Sequence, residues 1–388
     1  MHSIESILWR QRDAIRIHND LVELTALTKG GHLAEFRFLE RPGVSTQNVL
    51  WDAPWMFPHS NLGQIGEQEE TGGFTGHALC LDCFGPPSPE EAANGLPIHG
   101  EAATMRWDVT ETGAEIDSGC RWQVHLPYAQ IQFARNMHVR NGESVVRVEE
   151  TVHNLRDTQH SCHWVEHATF SPPLLAAEES SLYVSATRGI TAPTAYDGGA
   201  LLAVNQEFTW PFAPDACDIR KSVDLRRPFS MKGRGGLAAV RLDPQRSLEF
   251  LLAMNWKLRL GVGYCFRQSD FPWLAIWEEN CSRPEAPWNG DTQARGMEFG
   301  TTPLPLGRDE TKRRGNLFDT PTACIIPALG QSTARYVMFL FMIPSTFHSI
   351  QDARVEGNQI VLISEDGNSF SIPAFECQNF LSGSEDCG

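Results

Sequence analysis

Two histidines and one glutamate are the residues of this sequence that could transfer protons together. His99 precedes a glycine, His167 lies in an apparent strand, and Glu298 follows much later in the chain. Histidine titrates near neutral pH, and the pKa of a partly desolvated glutamate can rise towards the same range. A cleft that held these three side chains would therefore suit acid-base chemistry on a hydroxylated substrate.

Strands are the elements that must position these residues, because alternation with period two is clearer than any helical period. Trp122, Val124 and Leu126 alternate with polar residues. The segments 137–148 and 360–372 predict hairpins, the first with a primed turn at an Asn-Gly pair and the second with an Asp-Gly turn. The sequence therefore predicts a many-stranded antiparallel protein with little helix.

Length and proline content set the domain organisation that we expect. The chain has 388 residues, more than a usual domain, yet large β-sandwiches fold as one unit. We predict one domain over residues 1–388, with residues 1–30 as an N-terminal extension. The 24 prolines leave little room for long helices, and the Pro-rich segment 85–97 is expected to be a long loop between strands.

Charge and cysteine usage exclude several classes of protein. The formal net charge of −16 opposes binding to nucleic acids and to anionic membranes. No segment has the run of about eighteen apolar residues that a membrane span needs, and the N-terminus lacks the pattern of a secretory signal. We expect a soluble, cytoplasmic protein, monomeric or homodimeric, whose ten scattered cysteines are mostly reduced thiols.

Two short motifs could indicate metal binding, but their context favours other interpretations. His163 and His167 match the His-x-x-Glu-His pattern of inverted zinc peptidases, which requires a helix. On the strand that this segment predicts, the two histidines would be about 13 Å apart, too far for one zinc ion. Cys80 and Cys83 have no second Cys-x-x-Cys pair, so we interpret them as buried thiols near the cleft.

Several further motifs extend the pattern around the candidate acid and base. The early pieces GGHLAEFRF and NVLWDAPW look like opening strands. The later motifs are, in chain order, Gly72-Gly73, Phe84-Gly85, His99-Gly100, Trp107, Asn154-Leu155, His167 with Phe170, Trp277 and Glu298. Their order and spacing resemble those of the aldose 1-epimerases, or galactose mutarotase-like proteins, and most of all the glucose-6-phosphate 1-epimerase-like branch.

This resemblance implies an all-β antiparallel supersandwich whose concave face holds a sugar in its pyranose form. It implies that Glu298 removes the proton of the anomeric hydroxyl and that His167 protonates the ring oxygen. His99 matches the histidine that binds the sugar and assists. No organic cofactor and no metal ion are implied, and the expected partner is a small carbohydrate.

Two departures from the pattern of that branch modify the expectation. The branch places an arginine shortly after its His-Gly pair, whereas this chain has Glu101-Ala102-Ala103, so we expect an unphosphorylated sugar or sugar acid. Glu278 and Glu279 follow a tryptophan where the branch tends to show Asn-Pro. Either glutamate could line the cleft and act as the base in place of Glu298.

Further candidates for substrate binding are mostly aromatic, because flat rings stack on sugars. They are His77, Trp55, Trp164, Trp277, Trp288, Asp270, Glu278 and Glu279. Two other functions remain open. One is a carbohydrate-binding protein without turnover, and the other is a lyase or another isomerase in which Arg121, Arg140 or Arg295 neutralises a substrate carboxylate.

Overall fold

The computed structural model describes residues 4–56, 74–113 and 117–383. The strands of the first half of the chain are β1 Ile4–Trp9, β2 Arg12–His18, β3 Val22–Leu27, β4 Leu33–Phe38, β5 His77–Leu81, β6 Asp108–Gly113, β7 Asp117–Leu126, β8 Ile131–Arg140, β9 Val145–Asn154, β10 His160–Cys162, β11 Trp164–Phe170, β12 Ser180–Tyr183 and β13 Ala186–Thr191. Those of the second half are β14 Glu207–Thr209, β15 Phe212–Pro214, β16 Ser222–Asp224, β17 Arg234–Leu242, β18 Leu248–Asn255, β19 Leu260–Arg267, β20 Trp273–Asn280, β21 Gln293–Gly300, β22 Asn316–Leu317, β23 Thr320–Pro321, β24 Cys324–Ile326, β25 Gln331–Met342, β26 Asp352–Glu356, β27 Gln359–Ile363 and β28 Ser369–Pro373. The α-helices are α1 Pro89–Ala93, α2 Arg308–Arg314 and α3 Cys377–Ser382, and Pro54–Met56 and Glu101–Ala103 form 3₁₀ turns.

Most strands belong to two large antiparallel sheets. The larger has 11 strands in the order β1-β2-β3-β4-β5-β11-β21-β20-β17-β13-β14. The second has 8 strands in the order β12-β18-β19-β25-β9-β8-β7-β6. The predicted all-β class with little helix is confirmed, because most elements are strands and the α-helices of the described ranges have only five to seven residues each.

The apolar core lies between these two sheets. One continuous cluster of buried side chains includes Leu79 and Phe299 from the larger sheet and Val148 and Tyr264 from the second sheet. Side chains on a strand alternate between its two faces. Every second residue of the larger sheet is therefore turned away from this core, towards what we call the outer face.

The predicted hairpins are present, but one turn differs from the prediction. Strands β8 and β9 pair with Val139 opposite Val146, and β27 and β28 pair with Leu362 opposite Phe370. Both primed turn types need positive φ at the first central residue, and of the Asn-Gly pair only the second residue, Gly142, has one, at 84°. Residues 141–144 therefore form a longer loop, and the predicted two-residue turn is wrong.

The chain ends and the Pro-rich segment complete the sheets. Strands β1, β2 and β3 form one edge of the larger sheet, so the predicted N-terminal extension contributes strands between Ile4 and Leu27. The segment 85–97 is not a pure loop, because Ser88 caps the short helix α1 with a reciprocal capping box. Strands β26–β28 and α3 pack on the side of the second sheet that faces away from the core.

No helix in the described ranges is long and apolar enough to cross a membrane.

Glu249 on β18 is a buried carboxyl group with an expected effect on the pH dependence of stability. Among the described residues neither of its oxygens has a hydrogen-bond partner. Burial raises its pKa from 4.5 to about 8, and Arg246 opposes this shift. Between these pKa values the folded protein keeps a proton that the unfolded chain has lost, so raising the pH favours unfolding.

We therefore expect the free energy of unfolding of the native protein to fall from about pH 5 to about pH 8. In the Glu249→Gln variant the decline should be smaller by about 1 kcal/mol per pH unit, as measured by urea denaturation across the range. Parallel curves for the two proteins would show that Glu249 does not hold its proton.

Candidate active site

The centre of the larger sheet forms the floor of the candidate site. Strand β21 lies between β11 and β20, and its register places Glu298 directly opposite His167 on β11 and Ala275 on β20. Directly opposed residues of antiparallel strands project their side chains to the same face. His167 and Glu298 are turned to the outer face because their neighbours Ala168, Met297 and Phe299 enter the core.

His167 and Glu298 are in direct contact. The Nε2 atom of His167 lies 2.9 Å from Oε1 of Glu298, and its Nδ1 atom lies 2.9 Å from the hydroxyl of Thr169. The Glu298 oxygen accepts no well-aligned hydrogen bond from the described residues. Gly296 leaves the space for this pair, since a Cβ atom there would lie 2.3 Å from the same Glu298 oxygen.

His99 approaches the pair from the loop that follows β5. Its ring centroid lies 5.9 Å from that of His167. The backbone N–H of Gly85 donates to His99 Nδ1 at 3.2 Å, so the proton of the neutral ring is on Nε2. Burial, together with the neighbouring His167, lowers the pKa of His99 to about 3. His99 is therefore a neutral hydrogen-bond donor at physiological pH.

The loop that carries His99 is anchored by ion pairs with α2. Arg308 donates to Asp82 at 2.6 Å and to Glu91 of α1 at 2.7 Å. The Asp82 carboxylate also contacts His160 of β10. These contacts tie α1, α2 and the residue that follows β5 to one another, which helps to fix the position of the following loop and of His99.

Aromatic side chains form the walls of a cavity above this floor. Phe74 contacts His167 edge-on at 4.6 Å between centroids, and Trp277 lies 6.0 Å from His167. Trp288 lies 5.1 Å from Trp55 and 5.8 Å from Trp277. The cavity has a volume of about 380 Å³, and Glu298 lines it together with these rings. This volume and its flat walls suit a small ring-shaped ligand.

Glu278 and Glu279, the two alternative candidates for the base, do not lie at the cavity beside His167. Glu279 is turned to the outer face, but its carboxylate accepts hydrogen bonds from Ser282, Tyr196 and the backbone of Arg283. Glu278 is turned to the other face of β20, where it pairs with Arg295 at 2.7 Å. Burial raises its pKa to about 7 although Arg295 opposes the shift. Neither carboxylate lines the cavity.

Three other candidates also lie away from the cavity. His77 is buried in the core, where its Nε2 atom lies 2.8 Å from Glu166. Trp164 enters the same core and donates to Glu150 at 3.0 Å. Asp270 lies in the turn between β19 and β20 and accepts from Arg267 at 2.8 Å. Of the predicted residues, the structure brings His99, His167, Glu298, Trp55, Trp277 and Trp288 together around one cavity.

Sequence reasoning missed several residues that line this cavity, and three of them contribute aromatic rings or charge beside the candidate site. They are Phe74, Tyr196 and Arg283. Phe74 follows the Gly72-Gly73 motif, which lies outside the described residues, and could have been found from that motif. Tyr196 and Arg283 lie in loops, and no sequence signal marks either of them.

The motifs that could indicate a metal site have other structural roles. His167 lies in strand β11 and His163 directly precedes it, which confirms the predicted strand. The Nδ1 atom of His163 accepts from the backbone of Phe84 at 3.0 Å. Cys80 and Cys83 are buried thiols, as predicted. Within the described ranges, no cluster of three or more His, Cys, Asp or Glu side chains could hold a metal ion.

Several solved structures with a similar fold are named as aldose 1-epimerase-like or galactose mutarotase-like proteins. A candidate aldose 1-epimerase from Klebsiella pneumoniae has a TM-score of 0.60 at 14% identity, over 88% of this chain and 84% of that one. The chain has the galactose mutarotase-like fold. A galactose mutarotase-like protein from Clostridium acetobutylicum has a TM-score of 0.58 at 12% identity, over 88% and 98% of the two chains.

A galactose mutarotase related enzyme from Lactobacillus acidophilus has a TM-score of 0.56 at 13% identity, over 85% and 98% of the two chains. These identities show the galactose mutarotase-like fold and leave the activity to be argued from the site. The amino-acid sequence itself matches no protein-family model and no curated protein.

Proposed function

We propose that this protein is an aldose 1-epimerase-like mutarotase that interconverts the anomers of an unphosphorylated sugar. The observation that carries the proposal is the contact of 2.9 Å between His167 Nε2 and Glu298 Oε1 in an aromatic cavity. The anomeric hydroxyl and the ring oxygen of a pyranose are bonded to the same carbon. The base and the acid for its ring opening must therefore lie side by side, as this cross-strand pair does.

The reaction begins when Glu298 accepts the proton of the anomeric hydroxyl. His167 donates a proton to the ring oxygen as the bond between that oxygen and the anomeric carbon breaks. The open-chain aldehyde turns about its bond to the next carbon, and the reverse proton transfers close the ring on the other face. Neither residue gains or loses a proton over the cycle, and such assistance is worth about 10²–10⁴-fold.

His99 and Thr169 have supporting roles in this mechanism. The neutral His99 ring presents its Nε2–H as a donor to a substrate oxygen, because its Nδ1 atom accepts from Gly85. It does not supply a proton, since its pKa is lowered to about 3 by burial. The Thr169 hydroxyl contacts Nδ1 of His167 and fixes the orientation of that ring. Thr169 is therefore a positioning residue.

The test is the rate at which freshly dissolved α-anomers of a panel of sugars reach equilibrium, followed by polarimetry or saturation-transfer NMR. We expect acceleration of at least one sugar by the native protein. Binding of a sugar without acceleration of any would overturn the proposal and favour a carbohydrate-binding protein on this scaffold.

The three arginines that the sequence suggested for a lyase lie away from the cavity. Arg295 is buried on the core side with Glu278. Arg140 contacts Glu376 and the ring of Phe375, and Arg121 is exposed on β7. None of these three arginines lines the cavity. A carboxylate in this cavity would need a different cationic partner.

Gly296 offers a test of the spacing between acid and base. In a Gly296→Ala variant the new Cβ atom would lie 2.3 Å from Glu298 Oε1 and 2.9 Å from His167 Cε1. The two side chains would have to separate, and a misplacement of about 1 Å can cost about 10²-fold in rate. We expect kcat/KM for anomer exchange to fall by about ten- to a hundredfold. The thermal unfolding midpoint should change by only a few degrees, because the atoms that must move are the ends of side chains. Unchanged kcat/KM would contradict the assigned geometry.

A further inference from the structure

Arg283 is a cationic side chain in the cavity wall that the proposed mechanism does not use. It lies in the loop between β20 and β21 and lines the cavity together with Trp277 and Glu298. Its guanidinium lies 5.0 Å from the ring centroid of Tyr196 and 4.7 Å from that of Trp288. A guanidinium held by two aromatic rings keeps its charge and its orientation, because stacking leaves only the edge with its N–H groups for hydrogen bonding.

The carboxylate of Glu279 lies beside Arg283 and compensates its positive charge, but it accepts no hydrogen bond from the Arg283 side chain. Glu279 Oε2 lies 3.5 Å from Arg283 Nε, and that nitrogen has no hydrogen-bond partner among the described residues. The Glu279 carboxylate already accepts from the hydroxyls of Tyr196 and Ser282 and from the backbone N–H groups of Ser282 and Arg283. A carboxylate offers about four acceptor positions, so these donors fill it.

The Nε–H of Arg283 therefore has no hydrogen-bond partner in the described part of the chain, and the Glu279 carboxylate has no acceptor position left for the other N–H groups. An arginine presents five N–H donors in a planar fork, which matches the two oxygens of a carboxylate. Arg283, His167 and Glu298 line the same cavity. Trp277 lies 6.0 Å from His167 and 5.8 Å from Trp288, the ring on which Arg283 stacks. A sugar ring bound in this cavity can therefore meet both Arg283 and the proposed acid-base pair.

We propose that Arg283 binds a carboxylate on the sugar, so that the substrate is a hexuronic acid or a related sugar acid. This inference rests on the proposed function and names the substrate class of that site. Asp197 is exposed on the same cavity wall. Its negative charge disfavours a doubly charged phosphate more than a singly charged carboxylate, because the repulsion grows with the charge of the ligand.

The test compares sugars that differ only at the carbon outside the ring. Anomer exchange of glucuronate and galacturonate is measured beside glucose and galactose and their 6-phosphates, with native protein and with Arg283→Gln and Arg283→Lys. We expect native protein to prefer the hexuronates. The ratio of kcat/KM on a hexuronate to that on the matching hexose should fall by about ten- to a hundredfold in Arg283→Gln, through KM, with partial recovery in Arg283→Lys.

A matched control is Arg220→Gln, because the side chain of Arg220 is 86% exposed and pairs with Asp218 away from the cavity. This variant should leave the ratio unchanged. Equal kcat/KM on hexuronate and hexose in the native protein would overturn the inference while the proposed function stood. A preference for the 6-phosphates would overturn both the inference and the unphosphorylated substrate of the proposed function, and would leave only the anomer exchange itself.

Binding to the Glu298→Gln variant separates this inference from the proposed function. Calorimetry with glucuronate should show binding that weakens at least tenfold when Arg283→Gln is added. If the native protein accelerates no sugar but this Arg283-dependent binding is seen, the proposed function fails and the carboxylate site stands. Absence of glucuronate binding in a folded Glu298→Gln protein would overturn the carboxylate site.

Discussion

Replacement of Glu298 by glutamine or of His167 by alanine should each reduce kcat/KM for anomer exchange by about 10²–10⁴-fold. Glutamine keeps the shape of Glu298 and removes only its ability to accept the anomeric proton. Alanine removes the ring that donates to the ring oxygen. The two residues act on one substrate as a unit, so the double variant should lose little more activity than either single variant. The measurement is the initial rate of anomer exchange for the best native substrate.

A control variant distinguishes chemistry from unfolding. Glu279→Gln changes a carboxylate on the neighbouring strand whose oxygens already accept hydrogen bonds from Ser282 and Tyr196. We expect it to retain far more activity than Glu298→Gln. Full activity of Glu298→Gln in a folded protein would contradict the assignment of the base.

Arg135→Met should destabilise the protein by about 3–5 kcal/mol, because it removes the cation from a buried ion network. The side chains of Arg135, Glu150 and Glu166 are almost completely buried in the core, at 1%, 0% and 0% exposure. Burial and the neighbouring Glu166 raise the pKa of Glu150 to about 8, although Arg135 opposes both. Without the guanidinium, the two carboxyl groups would face each other and the neutral His77.

Urea denaturation at neutral pH measures this effect as a lower midpoint with an unchanged slope. Arg106→Met is the matched control, because Arg106 and its partner Asp13 are 67% and 56% exposed. Exposed pairs contribute about 0–1 kcal/mol, so this variant should unfold almost as the native protein does. Equal midpoints for Arg135→Met and native protein would show that the network does not depend on its cation.

Strand alternation carried more information about the candidate site than the sequence reasoning used. His167 and Trp164 are separated by three positions on one strand, so they must be turned to opposite faces, and only one of them could line the cavity. The same argument separates Trp277 from Glu278. The structure follows this rule, since Trp164 and Glu278 enter the core side while His167 and Trp277 line the cavity.

Other features could not be derived from local patterns. The direct opposition of His167 and Glu298 depends on which strands become neighbours, and β11 and β21 are far apart in the chain. Tyr196 and Arg283 reach the cavity from loops, whose conformation follows no periodic pattern. The placement of His77 in the core depends on the hydrogen bond with Glu166, a contact between distant segments.

Strand β11 contributes side chains to two different environments, the buried ion network on its core face and the cavity on its outer face. Its residue Glu166 belongs to the buried ion network, and the next residue, His167, belongs to the cavity. A slip of one residue in strand pairing would turn every side chain of β11 to the other face. It would bring a carboxylate to the place of the acid and take Glu166 away from Arg135, which would keep only Glu150 as a carboxylate partner in the network. Glu166 and His167, which serve stability and the proposed chemistry, therefore also disfavour any shifted pairing of β11 with its neighbouring strands.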